Sequence, residues 1–291
     1  MEYMDDASSL EHAMIQRAKQ QKIPINGSLE LLPLCNMNCD MCYVRLTREE
    51  MEAAGRLRSL QEWLDLGQQM ADAGTLFLLL TGGEPLLYPD FKILFQKLKQ
   101  MGMFLTINTN GTLIDEDWAD FFEEYKPRRI NITLYGADAS AYEKLCHYPE
   151  GFSRTIQGIR LLRERNVDVK VSCSATRQNQ HDIEKIFALG RELNVPVHMD
   201  AYMMPAVRER TKPYDHQARL LPEDAARVAL LAFRSAFSAD IYGQYVTQTI
   251  ERIQDCLLYT SNYYRQPLSL PLSHCYPCRK RQPLPACVLS L

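Results

Sequence analysis

The chain of 291 residues has no apolar run near the roughly 18 residues of a membrane-spanning helix; the longest candidate is Leu76–Leu80. Nor does it open like a secretory signal. Met1 to Ser9 carries two Asp and one Glu ahead of any apolar stretch, where a signal needs a basic start and an apolar segment of about 7–15 residues. Together these absences predict a cytoplasmic protein with no membrane association, in a compartment where thiols stay reduced. Net charge is slight, −3 with a pI near 6.1, so there is no basic footprint for a nucleic-acid partner. The six histidines are scattered, and none forms a metal-binding spacing.

What is present is the composition of a folded domain. The hydrophobic fraction is 46% and the charged fraction 24%, values that exclude collagen, coiled coil and general disorder. At about 150 residues per domain, the length corresponds to one large domain or two ordinary ones. A chain this long buries a core without disulfide staples. Nine cysteines are therefore the unusual feature. An odd number in a reducing compartment points to metal or catalysis before a disulfide framework.

The hydrophobic pattern alternates between strand and helix. Leu10–Lys22 reads as a short amphipathic helix with Ser9 as N-cap, ended by Pro24 and Gly27. Strands are expected at Ser28–Leu32, Leu76–Leu80, Phe104–Asn108, Arg129–Thr133, Val169–Ser174 and Val197–Asp200. The unbroken apolar run Leu76–Leu80 predicts a strand buried on both faces. Helices are expected at Thr47–Gly55 and Ser59–Ala73, each opening on a capping box (Thr47/Glu50 and Ser59/Glu62), and at Asp90–Met101, Asp115–Tyr125, Phe152–Arg165 and His181–Leu193. Such alternation makes an α/β fold with a parallel sheet and outer helices, either open or a partly closed barrel. In both, chemistry belongs at the C-terminal ends of the strands. The chemically unusual segments fall there: a cysteine loop after the first strand, Thr81-Gly82-Gly83-Glu84-Pro85 after the second, Asn108-Thr109-Asn110-Gly111 after the third, and Tyr135-Gly136 after the fourth.

The cysteine loop reads Cys35-Asn36-Met37-Asn38-Cys39-Asp40-Met41-Cys42-Tyr43. Its i, i+4, i+7 spacing is also that of a helix face, but Pro33, Asn36, Asn38 and Asp40 favour a loop. Zinc needs four ligands, and three local thiolates lack an obvious fourth. A plain ferredoxin cluster also takes four cysteines. Three thiolates suit a [4Fe–4S] cluster with one iron left open to bind a ligand. In the glycine turn, two glycines permit close backbone approach. Glu84 offers acceptors to a ligand ammonium, and Pro85 stiffens the exit into the next helix. Cys146 and Cys173 read as small buried hydrophobes. Met199, on the sixth strand, reads as core or as a pocket wall.

A CxxxCxxC loop followed by Tyr43, then a strand ending in Gly-Gly-Glu-Pro about forty residues later, resembles the radical S-adenosylmethionine superfamily from about Ser28 to Asp200. The resemblance implies a (β/α)6 partial TIM-type barrel. It implies that Cys35, Cys39 and Cys42 hold three irons of a [4Fe–4S] cluster whose fourth iron is chelated by S-adenosylmethionine. One electron then cleaves the sulfonium to methionine and a 5′-deoxyadenosyl radical, which abstracts hydrogen from substrate. It assigns cofactor contacts to Tyr43, Gly82, Gly83, Glu84, Pro85, Asn110 and Thr133. Thr133 matches the small hydroxyl position that meets the ribose, although relatives often read Ser-Leu-Asp-Gly where this chain has Thr-Leu-Tyr-Gly. Asn110 either shapes the turn or touches cofactor. The implied electron donor is a ferredoxin or flavodoxin.

Asn131 to Asn179 is similar to the subgroup with a C-terminal SPASM extension, many of whose members mature ribosomally made peptides or proteins. That implies a peptide or protein substrate; with only 34 residues before Cys35 a complete peptide-binding winged helix is not expected, and leader recognition falls to a separate leader-peptide-binding protein or another surface. The alternatives are a radical enzyme acting on a small molecule and a non-catalytic iron–sulfur electron carrier. The expected organisation is a helical extension at 1–27, the radical core at 28–200, a helical segment at 201–255, and an atypical tail at 256–291. The tail has five prolines, four cysteines, no glycine and no Asp or Glu. Cys275, Cys278 and Cys287 are the candidate ligands of an auxiliary iron–sulfur cluster; the other reading is that the tail is not native, since Cys256-Leu257-Leu258-Tyr259-Thr260-Ser261 resembles translated adapter sequence.

Overall fold

The computed structural model describes residues 9–203, 218–237, 240–244 and 246–248. The tail from 256, with its four cysteines, lies outside the described residues. One compact unit spans Ala13–Ala236. Of the other described residues, 240–244 and 246–248 are helical.

Six strands form one sheet in the order β1-β2-β3-β4-β5-β6, every neighbouring pair parallel. They are β1 (Asn26–Glu30), β2 (Phe77–Thr81), β3 (Phe104–Thr109), β4 (Arg129–Thr133), β5 (Val169–Ser174) and β6 (Val197–Asp200). Among the described residues β1 and β6 stand at the two edges, so the sheet is an open, partial barrel, as expected for the fold class. The helices are α1 (Ser9–Gln21), α2 (Arg48–Ala54), α3 (Leu60–Asp72), α4 (Phe91–Gln100), α5 (Glu116–Glu124), α6 (Ala139–Cys146), α7 (Gly151–Glu164), α8 (Ile183–Glu192) and α9 (Pro222–Ala236). No described helix is long and apolar enough to cross a membrane.

Both expected capping boxes form. Thr47 and Ser59 accept from the backbone N–H of Glu50 and Glu62, whose carboxylates reach back to the cap N–H at 2.7 Å. Glu62 also takes a bidentate pair from Arg56 at 2.7 and 2.8 Å. Along α4, Phe91, Leu94, Phe95 and Leu98 form the buried stripe. Phe91 meets Trp118 edge-on at 5.6 Å, and Phe95 meets Phe122 at 5.9 Å, which locks α4 to α5 through aromatic contact.

Three expectations need correction. Gly27 does not end the first helix; it lies within β1. The first strand lies two residues earlier than its apolar pattern suggests: Asn26 and Gly27 pair with Phe77 and Leu78, and Leu32 falls past its end, where its carbonyl accepts from Gly83 N–H at 2.7 Å. The apolar run of β2 is not buried on both faces. Leu78 and Leu80 are 1% and 0% exposed, whereas Phe77, Leu79 and Thr81 are half-buried. The same alternation runs through β3, β4 and β5, where Leu105, Ile107, Ile130, Ile132, Val169 and Val171 face the core. Helices cover that face alone, so the concave face carries Thr106, Asn108, Asn131, Thr133 and Ser172 instead. A cavity of about 510 Å3 lies along it, lined by Ser28, Phe77, Leu79, Thr106, Asn108 and Asn131 among others. There Asn131 Nδ2 donates to Asn108 Oδ1 at 2.8 Å.

Helix α6 was not anticipated; its start is marked by Asp138, which accepts from Ala141 N–H at 2.9 Å. Met199 packs against the core, as do Cys146 and Cys173.

Removing the α3 cap with Ser59→Ala is expected to lower the unfolding free energy by about 1 kcal/mol. A denaturant titration checks this, and a Ser59→Asp substitution should restore most of the loss.

Candidate functional site

The loop from Leu31 to Thr47 leaves the C-terminal end of β1 and carries Cys35, Cys39 and Cys42, all partly buried free thiols. Three neighbours fix its path. The first is the glycine turn after β2. Gly83 N–H donates to Leu32 carbonyl at 2.7 Å and Glu84 N–H to Leu34 carbonyl at 2.9 Å. A Cβ on Gly82 would stand 2.6 Å from Leu32 carbonyl oxygen, and one on Gly83 2.3 Å from that of Leu34. What approaches the two glycines is the cysteine loop's own backbone, which leaves no room for any side chain.

The second neighbour is the end of α6. The last carbonyls of a helix lack internal partners, and here the loop supplies them. Asn38 N–H donates to Cys146 carbonyl at 3.1 Å and Asp40 N–H to Leu145 carbonyl at 2.9 Å. His147, in the left-handed region at φ 53°, caps the helix and places Nε2 2.8 Å from Asp40 Oδ1. Cys146 is thus more than packing. Its thiol meets that of Cys39, and burial, then that contact, pushes it well above the ordinary thiol range.

The third is the turn after β3. Asn110 Nδ2 donates to Asn36 Oδ1 at 2.9 Å and lies 3.7 Å from Cys35 Sγ. Asn36 Nδ2 donates to Thr112 Oγ1 at 2.8 Å. Neither Asn36 nor Thr112 was given a place in the site from sequence; an Asn directly after Cys35 was the signal.

Glu84 joins these parts. It is fully buried, and its oxygens accept from Thr109 Oγ1 at 2.7 Å, Asn110 N–H at 2.8 Å and Leu86 N–H at 3.2 Å. The expected reach to a ligand ammonium is therefore corrected: the carboxylate is turned inward, onto protein donors. Pro85 is buried as the first residue of a short 3-10 turn, Pro85–Leu87. Thr133 ends β4 on the concave face, and its hydroxyl has no partner among the described residues. Tyr43 follows Cys42 and is 57% exposed. Tyr135, where the chain departs from the usual Asp, sits beside the cysteines. Burial raises its phenol pKa first, followed by the charges of Cys39, Cys146 and Cys35.

The donor set suits an iron–sulfur cluster. Cys42 Sγ accepts from Arg45 N–H at 3.2 Å, and Cys35 Sγ from Met37 N–H at 3.4 Å, a contact that favours the Cys35 thiolate. Burial nonetheless pushes the Cys35 thiol up to about 12, with Glu84, Cys39 and Cys42 adding negative charge nearby. A bound cation would offset that charge and release the Cys35 proton. Among the described residues no three His, Cys, Asp or Glu side chains converge on one ion, the three loop cysteines included.

Comparison with known proteins agrees with this geometry. The Radical SAM superfamily matches residues 29–190, over half the chain. An AdoMet-dependent heme synthase of Methanosarcina barkeri is 27% identical over 192 residues, covering 65% of this chain and 54% of the relative. A PqqA peptide cyclase of Xanthomonas euvesicatoria is 25% identical over 173 residues, covering 58% and 45%. Among solved structures, Streptococcus suis SuiB bound to S-adenosylmethionine aligns with a TM-score of 0.59 at 19% identity, over 84% of this chain and 55% of that one. The chain spans about half the length of the curated relatives it matches.

Two outcomes are expected. Gly83→Ala should lower stability by about 1–3 kcal/mol and loosen the cysteine loop, read as faster hydrogen exchange of Asn38 and Asp40 amides. For Glu84, burial pushes the carboxyl up to about 7 from 4.5 against the pull of its three donors. Between those values the folded protein holds a proton that the unfolded chain has lost, so stability falls as pH rises and levels off above 7. From pH 5 to 8 this group should remove roughly 2–3 kcal/mol. Glu84→Gln should lack that part of the slope in denaturant titrations; identical slopes would refute the assignment.

Proposed function

The chain belongs to the radical SAM superfamily, and on that premise we propose that it binds a [4Fe–4S] cluster on Cys35, Cys39 and Cys42 and cleaves S-adenosylmethionine to start radical chemistry on a peptide or protein. When bound, the cluster and S-adenosylmethionine supply one-electron cleavage of a carbon–sulfur bond and a 5′-deoxyadenosyl radical able to abstract hydrogen. The observation that carries the reading is the three-thiol loop pinned, backbone to backbone, against the Gly82-Gly83 turn at the C-terminal edge of a parallel sheet.

The chain's own residues have definable tasks. Glu84, Asn110 and α6 hold the loop so that the thiols keep their places. Thr133 presents an uncommitted hydroxyl on the concave face, suited to a ribose. Gly82 and Pro85 shape the turn, and Tyr43 lies at the exposed side of the loop, where the electron donor has access. The concave face also holds an open cavity lined by Ser28, Thr106, Asn108 and Asn131 among others.

For the substrate, the PqqA peptide cyclase among the relatives and the resemblance of Asn131 to Asn179 to the peptide-maturing subgroup support a polypeptide. The second reading is a small molecule, favoured by the similarity to a heme synthase.

Anaerobic reconstitution with iron and sulfide, then dithionite and S-adenosylmethionine, should yield 5′-deoxyadenosine. Cys35→Ala, Cys39→Ala and Cys42→Ala should each lose the cluster absorbance and at least 100-fold of that product. Cleavage retained in any of them would remove that cysteine from the ligand set.

A further inference from the structure

Asn110 is 4% exposed, and both ends of its amide are committed. Its Oδ1 accepts from Thr112 N–H at 2.9 Å and from Thr112 Oγ1 at 2.6 Å. Turning the amide over would set its NH2 against the Thr112 N–H, donor to donor, so Nδ2 must face the cysteine loop. One of its hydrogens goes to Asn36 Oδ1 at 2.9 Å, and Asn36 Nδ2 passes on to Thr112 Oγ1 at 2.8 Å. Donation therefore runs in one direction around a closed ring, from Asn110 to Asn36 to Thr112 and back. The second Nδ2 hydrogen is left for Cys35 Sγ, 3.7 Å away. The backbone of Asn110 is anchored too: its N–H donates to Glu84 Oε2 at 2.8 Å, and its carbonyl accepts from Thr155 Oγ1 at 3.0 Å.

We propose that Asn110 is a positioning residue that sets the electron affinity of a cluster bound at Cys35, through an N–H···S hydrogen bond that Thr112 and Asn36 keep aimed at the sulfur. The inference rests on the proposed assignment of Cys35 as a cluster ligand. Reduction adds negative charge to the cluster and its thiolates. A donor on a ligand sulfur stabilises the more negative state and raises the reduction potential. Asn110 is itself buried, so its amide is a fixed donor to the sulfur rather than one that solvent supplies. The Met37 and Arg45 N–H groups on Cys35 and Cys42 belong to the loop backbone, whereas Asn110 supplies its contact through a side chain held by a different strand.

The test is an EPR-monitored redox titration of the reconstituted full chain without S-adenosylmethionine, alongside iron and sulfide content. Asn110→Ala removes the donor. Thr112→Val keeps the amide and the volume but breaks the ring that orients it; Thr112→Ser keeps the ring. With cluster content equal to the parent, Asn110→Ala and Thr112→Val should shift the reduction equilibrium about tenfold toward the oxidised cluster, a fall of 59 mV for a one-electron couple. Thr112→Ser should match the parent. Unchanged potentials in Asn110→Ala and Thr112→Val at full cluster content would overturn the proposal. If Asn110→Ala holds no cluster, the potential of Thr112→Val decides. A parent chain that assembles no cluster instead overturns the Cys35 assignment, and this proposal falls with it.

Discussion

Glu84 is where three loops meet. Its carboxylate is wholly enclosed, and it holds Thr109 and Asn110 of the β3 turn while its own N–H grips Leu34 of the cysteine loop. A buried carboxylate without partners would cost several kcal/mol, so these donors and this side chain require one another. The cost rises further with each bond lost, because the interior offers no water to replace it. Everything at the C-terminal edge of the sheet is placed with respect to this group: the glycines that admit the loop backbone, the Asn110 amide beside Cys35, and through Thr155 the start of α7.

On its other side the loop rests on α6, and that contact satisfies both parties. Helix-end carbonyls and loop N–H groups, each costly if buried alone, pair with one another at Leu145 and Cys146. The loop needs no secondary structure of its own to be held. The loop can therefore carry three free, partly buried thiols without a disulfide to brace it. The helices meanwhile cover one face of the sheet only, which leaves the concave face polar, half-exposed and adjacent to the loop.

Local signals were legible where a few neighbouring residues decide the outcome. The Thr47/Glu50 and Ser59/Glu62 boxes close within one turn, and β4, β5 and β6 have the bounds that their apolar alternation suggests. The cysteine spacing and the Gly-Gly-Glu-Pro turn are contiguous in sequence and pointed to the right end of the sheet. Helix α6 was missed because its eight residues carry a weak apolar pattern; its stability comes from Tyr142, Leu145 and Cys146 sinking into a core assembled by other elements. The β2 run misled because five apolar residues in sequence say nothing of whether one face or two will be covered.

The amino-acid sequence by itself determined the family and the parallel α/β alternation, since each rests on residue types at short, fixed separations. The tertiary structure alone decided which way Glu84 points, which end of the Asn110 amide faces Cys35, and that Cys146 lies against Cys39. Those pairs are 26, 75 and 107 residues apart or of that order, so no local pattern encodes them. They follow from the demand that every buried donor and acceptor find a partner once the strands have been set side by side.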